Sequence, residues 1–141
     1  MSFFGKQFKK VKAENAAEDS EVIRKLNLSE QTAALLTNPD TISTYSKNAD
    51  GTLQYVVKSG SGAIILDQKI ILAEHRDFKS PDGKMDTNVK FVLDGDVLKS
   101  HYHLPNGSVV HMNRHFDANG MRMEIYVKGV DEKATIYYEV V

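Results

Sequence analysis

The residue best placed to do specific chemistry in this chain is Arg114. It lies in the run Val109-Val110-His111-Met112-Asn113-Arg114-His115-Phe116. Side chains alternate sides along a strand, so one face of this run reads Val110, Met112, Arg114 and Phe116. A guanidinium on such a face is costly to bury without a partner. A ligand carboxylate, held through two parallel hydrogen bonds, would supply that partner. An internal acid or bound waters would instead make the arginine structural.

The five histidines raise the question of a metal. His101, His103 and His111 share one outward parity on neighbouring runs, and two of them could meet across a hairpin. No acid or cysteine completes a recognisable ligand spacing. Exposed ladder positions explain these histidines more simply, and no metal site is expected. Ser100 and Tyr102 share a face, but His101 points the other way, so spacing supports no Ser-His-acid constellation.

Composition narrows the function classes. A chain of 141 residues makes one ordinary domain able to enclose a core. A formal net charge of -1 gives no reason to expect nucleic acid as a partner. The absence of cysteine excludes disulfides, thiolate zinc sites and a cysteine nucleophile, and it suits a reducing compartment. Met1-Ser2-Phe3-Phe4-Gly5-Lys6 leads directly into a charged strand with no apolar leader core. No apolar run approaches the ~20 residues of a membrane helix. A cytoplasmic, soluble monomer is expected.

The elements that must carry Arg114 are mostly strands. The run 5–13 alternates, with a bulge or bend expected where Phe8 and Val11 fall out of step. Asn15 is expected to cap a helix over 16–26, with Glu18 as its capping-box partner and Val22, Ile23 and Leu26 as its apolar stripe. Ser29 is expected to cap a second helix over 30–37, ended by Pro39. Turn signals then fall at 48–51, 59–62, 81–83, 94–96, 105–107, 117–120 and 129–131. Their spacing of about ten residues is that of an all-β sandwich or barrel. The two early helices favour a barrel with a lid.

Parity assigns the inner face of the later strands. Leu98, Ser100, Tyr102 and Leu104 oppose Lys99, His101 and His103. Met121, Met123, Ile125 and Val127 oppose Arg122, Glu124, Tyr126 and Lys128. Ile136, Tyr138 and Val140 oppose Thr135, Tyr137 and Glu139. Lys6, Lys9, Lys10 and Lys12 are expected to be a solvated strand face. Arg24 and Lys25 read as a favourable charge pair at a helix C-terminus. Their alternative role is a transient contact with anionic membranes.

The two ends of the chain carry a family likeness. It opens on Phe3-Phe4-Gly5-Lys6-Gln7-Phe8 with Glu14-Asn15 following, and closes on Ile136-Tyr137-Tyr138-Glu139. With Leu93-Asp94-Gly95-Asp96 and the stretch to Met123, these motifs resemble the intracellular lipid-binding family of fatty-acid-binding and retinoid-binding proteins. The chain departs from that pattern where Ile136 stands at the family's second arginine, where Phe8 replaces a tryptophan, and around Glu74–Phe78. The portal phenylalanine segment is replaced by Ser59-Gly60-Ser61-Gly62. The likeness is that of a divergent member.

The resemblance implies one domain over 1–141, a ten-stranded antiparallel up-and-down β-barrel of the calycin kind, capped by a helix-turn-helix lid over about 15–38. It implies a carrier and not an enzyme, with no cofactor, holding a small hydrophobic ligand such as a fatty acid or retinoid. Arg114 and Tyr138 fall where the family grips its anion, and Tyr102, Met112, Met123, Ile125 and Ile136 are expected to line the site. With Ile136 in place of an arginine, a less polar ligand becomes more credible. The alternative is a barrel filled by Phe91, Tyr102, Met112, Met121 and Met123, acting as an interaction or membrane-surface protein.

Overall fold

The computed structural model describes residues 3–16, 20–26, 40–79, 86–104 and 107–141. They form ten strands and one helix: β1 (Gln7–Glu14), α1 (Glu21–Leu26), β2 (Thr41–Lys47), β3 (Leu53–Ser59), β4 (Ile64–Ile70), β5 (His75–Lys79), β6 (Asp86–Asp94), β7 (Val97–His103), β8 (Val109–Phe116), β9 (Gly120–Val127) and β10 (Ala134–Val140). The strands make one antiparallel sheet in the order β4-β3-β2-β1-β10-β9-β8-β7-β6-β5. This is the expected ten-stranded antiparallel barrel. The turn signals at 48–51, 59–62, 94–96, 117–120 and 129–131 all fall between consecutive strands, because a two-stranded antiparallel step needs only a tight connection.

The first and last strands close the sheet on each other. Phe8 lies opposite Val140 and Glu14 opposite Thr135. The ladder slips between Lys10 and Lys12, leaving Val11 as the extra, half-exposed residue. That is the bulge expected from the broken alternation, and it bends β1. The strands at the two ends of the sheet, β4 and β5, are not paired with each other. Instead Leu72 bridges Phe91 of β6, and the Ala73 N–H donates to the Phe91 carbonyl at 2.7 Å. A cavity of about 60 Å³ lies in this seam, between Gln68, Ile70, Arg76, Val89 and Phe91.

The helix starts later than the sequence suggests. Asn15 is not its cap: it sits at φ 55, outside the extended region an N-cap adopts, and its side-chain amide donates to the Lys133 carbonyl. Ser20 does the capping, its Oγ accepting from the Ile23 N–H at 3.1 Å. Val22, Ile23 and Leu26 are buried as their spacing requires, and α1 packs on β9. The expected second helix and the Glu18 capping partner lie outside the described residues, as do the turn at 81–83 and Pro105-Asn106.

One end of the interior is packed with aromatic rings. Phe3 stacks on Phe116 at 3.9 Å between ring centres, and Phe8 and Tyr45 meet Phe116 edge-on. Each such fully buried side chain contributes roughly 1.5–3 kcal/mol relative to exposure. The inner faces assigned by parity on β7, β8, β9 and β10 are buried or half-buried, but Glu124 and Thr135, assigned outward, are buried as well. One assignment on β1 is overturned. Lys9 and Lys12 face solvent, but Lys10 is buried beside Phe8, because it shares the parity of Phe8 before the bulge resets the strand.

Candidate functional site: a guanidinium among tyrosines

Arg114 points inward from β8 and is only 3% exposed. Its guanidinium crosses the interior. The Cζ atom lies 5.3 Å from the ring centre of Tyr55 on β3 and 6.0 Å from that of Tyr45 on β2. Tyr45 and Tyr55 are cross-strand neighbours, and their rings stack at 4.8 Å. Such cation–π contacts hold the charged group where, among the described residues, no carboxylate pairs with it.

The polar contacts leave donors to spare. Arg114 Nη1 donates to Ser100 Oγ at 3.4 Å, and Ser100 Oγ donates onward to the Met112 carbonyl at 2.8 Å. Arg114 Nε and the Tyr45 hydroxyl are both enclosed and make no well-formed hydrogen bond among the described residues. An enclosed polar atom without a partner costs about 1–3 kcal/mol. Both atoms lie in the interior, where an acceptor could pair with them.

Ionisation points the same way. Burial opposes the charge on Arg114, but the phenol oxygens of Tyr45, Tyr102, Tyr55 and Tyr138 outweigh it, and the guanidinium holds its proton more firmly than a free one. Burial pushes the Tyr138 hydroxyl well above its ordinary range, Tyr55 adds to this, and Arg114 pulls it partly back. Burial likewise raises Tyr45, against the pull of Arg114 beside it. The site therefore presents a fixed positive charge and protonated phenols at neutral pH. All of these can donate to a carboxylate or another oxyanion.

The register places the other expected residues around this centre. Arg114 lies opposite Met123, and Met123 lies opposite Ile136. Tyr138 is one inward step further along, opposite Met121. Arg114, Met123, Ile125, Ile136 and Tyr138 are buried, while Tyr102 and Met112 are half-buried against the same core. All seven residues expected at the site thus share one interior. Sequence reading missed Tyr45, Tyr55 and Lys10. Tyr45 shares its inward parity with Thr41 and Ser43, so β2 shows no apolar face to mark which side is in.

The outer face carries His101, His103, His111 and His115. His101 and His111 are direct cross-strand neighbours, with ring centres 4.3 Å apart, and His103 lies 4.8 Å from His101. Among the described residues, no group of three His, Cys, Asp or Glu is arranged to hold a metal ion. Further along, Glu124 is paired with Lys133 and lies 2.9 Å from His115 Nε2. The latter contact is out of hydrogen-bond alignment and acts through proximity alone. The Lys133 hydrogen bond is the main reason the Glu124 carboxyl is held below its usual range.

Comparison with solved structures identifies the fold. The chain superposes on the fatty-acid-binding protein of Manduca sexta with a TM-score of 0.78 and 19% identity, covering 98% of this chain and 99% of that one. A Schistosoma mansoni fatty-acid-binding protein, solved with arachidonic acid, matches with a TM-score of 0.75 at 21% identity over 99% and 96% of the two chains. A secretory abundant heat soluble protein of Ramazzottius varieornatus matches with a TM-score of 0.74 at 19% identity over 98% and 94%. No protein-family model matches the chain, and no curated protein matches it. The chain has the fold of the fatty-acid-binding proteins, which bears out the resemblance read from its two ends at the level of fold. Among the described residues, no helix is long and apolar enough to cross a membrane.

Proposed function

We propose that this protein is a cytoplasmic, monomeric, non-enzymatic carrier of a small hydrophobic ligand with one anionic or strongly polar end. The observation that carries this reading is the buried Arg114, whose Nε and neighbouring Tyr45 hydroxyl lack protein acceptors among the described residues. Arg114 and Tyr138 grip the polar end, and Tyr102, Met112, Met123, Ile125 and Ile136 line the chain of the ligand. Burial of hydrocarbon supplies ~0.8 kcal/mol per methylene, and the grip supplies orientation. The whole of 1–141 acts as one domain, with 15–38 as its lid. Ligand exchange passes between that lid and the turn 59–62.

A second reading follows from the ring cluster of Phe3, Phe8, Tyr45 and Phe116. A barrel filled from that end would serve as an interaction protein. Native mass spectrometry of gently purified protein, with extraction and identification of any bound lipid, separates the two. A stoichiometric lipid acid supports the carrier. A bare chain that also fails to take up a fluorescent fatty acid overturns it.

A further inference from the structure

Lys10 stands where the pattern of β1 calls for an apolar residue. It shares inward parity with Phe8 and is 6% exposed, while Gln7, Lys9 and Lys12 face outward. On one flank it lies opposite Tyr138 of β10. On the other, β2 sets Ser43 opposite Phe8 and turns the Thr41 and Ser43 hydroxyls toward the same interior, both buried. Hydroxyl-bearing residues thus flank Lys10 in the wall of the barrel, on the row that also carries Tyr138.

We propose that Lys10 is a covalent attachment point for aldehyde ligands, forming a reversible imine with a long-chain aldehyde held in the barrel. The inference rests on the carrier reading above and names a further class of ligand for the same interior. The lysine nitrogen adds its lone pair to the carbonyl carbon, and the carbonyl oxygen takes up a proton. The nitrogen then loses a proton, the new hydroxyl takes up a second proton and leaves as water, the nitrogen lone pair completes the C=N bond, and the iminium gives up its remaining N–H proton. Amine and aldehyde give imine and water, with no oxidant or reductant. Hydrolysis reverses the step and releases the aldehyde unchanged. Tyr138, Thr41 and Ser43 flank Lys10 on the paired strands and carry hydroxyls that could relay these protons, and an interior that excludes water favours the imine.

The amine is also suited to the step. Burial lowers the pKa of Lys10 to about 8, so about a fifth of the amine is neutral near pH 7.4, against roughly a thousandth for an ordinary lysine. Only the neutral amine is nucleophilic, and desolvated lysines are the ones that form Schiff bases. Lys9 and Lys12, outward on the same strand, serve as internal controls.

The test uses the full chain with dodecanal, trapped by cyanoborohydride and read by intact mass and peptide mapping. A single adduct on Lys10 is expected, formed about tenfold faster than on Lys9 or Lys12, with a rate that climbs through about pH 8. Lys10→Met should lose the adduct yet still bind dodecanol, measured by displacement of a fluorescent lipid. If that variant does not fold, the pH dependence and site of labelling in the parent decide. Adducts spread over the surface lysines, with none favoured at Lys10, overturn the proposal while dodecanol binding leaves the carrier intact. Failure of the parent to bind either compound overturns both.

Discussion

The guanidinium of Arg114 on β8 lies 5.3 Å from the ring centre of Tyr55 on β3, although five strand pairings separate those strands in the sheet. The contact exists because the sheet curls on itself, so that a long side chain from one wall reaches the other. Through it Arg114 ties β8 to β2 and β3 across the interior.

Arg114→Met should weaken a carboxylate ligand by ~1.5–3 kcal/mol, the worth of a charge-assisted hydrogen bond, and weaken the matching alcohol much less. Without ligand the variant should be at least as stable as the parent, since an apolar side chain of similar length removes a desolvated charge. Titration with a fluorescent fatty acid and urea unfolding of the empty protein check the two halves. Unchanged affinity for the acid would show that the arginine is structural. Ile136→Arg should move preference further toward carboxylates, because position 136 flanks Met123 on the side opposite Arg114.

Tyr45→Phe removes a hydroxyl that is enclosed beside Arg114 and makes no well-formed hydrogen bond among the described residues. The empty protein should gain about 1 kcal/mol, the desolvation no longer required. Binding of a carboxylate should weaken if that hydroxyl donates to the ligand. Urea midpoints and fatty-acid titration measured on the same preparation separate the two effects. A loss of stability would show that the hydroxyl is satisfied in solution.

Stability should rise and then fall across alkaline pH. Lys10 has a folded pKa of about 8 against 10.5 when free. Between those values the unfolded chain binds more protons, so stability increases with pH. Tyr45 and Tyr138 are shifted the other way, above the ordinary 10.0. Above pH 10 the unfolded chain ionises first, and stability falls. The side chain of Lys10 is covered but not enclosed on every side, so a gain of about 1–2 kcal/mol is expected in place of the full ~3. Urea midpoints from pH 7 upward should show a maximum at about pH 9–10, and Lys10→Met should abolish the rising limb. A monotonic fall in the parent would refute the assignment.

Gly120→Ala should destabilise by about 1–3 kcal/mol through overpacking. A methyl group there would run into the Tyr138 carbonyl of the paired strand. Asp117 holds the turn in place, its Oδ1 accepting from the Asn119 and Gly120 N–H groups at 2.7 and 2.8 Å. Since β10 also carries Tyr138, the variant should lose ligand affinity along with thermal stability. A neutral effect on the melting temperature would mean that β9 and β10 can part without cost.

Local rules make much of the fold legible from residue order alone. Alternation along β7 to β10 tells inside from outside, because a period of two leaves each side chain only two choices. The bulge at Val11 shows as a break in that alternation. Proximity in sequence misleads where a competing local signal exists. Asn15 and Glu18 have the spacing of a capping box, but the Asn15 amide finds the Lys133 carbonyl, 118 residues away, and Ser20 caps instead.

The strands, their turns and the arginine on an apolar face are all written in the amino-acid order. Each depends on neighbours a few residues away, where geometry is dictated by the chain. The company Arg114 keeps and the burial of Lys10 are settled only by the curled sheet. Tyr45 and Tyr55 reach Arg114 only because the sheet rolls up. Lys10 is inside only because pairing with β10 and β2 fixes which side of β1 faces the core. A lysine-rich strand carries too weak a hydrophobic alternation to choose a side alone, so the choice falls to the strands on either flank.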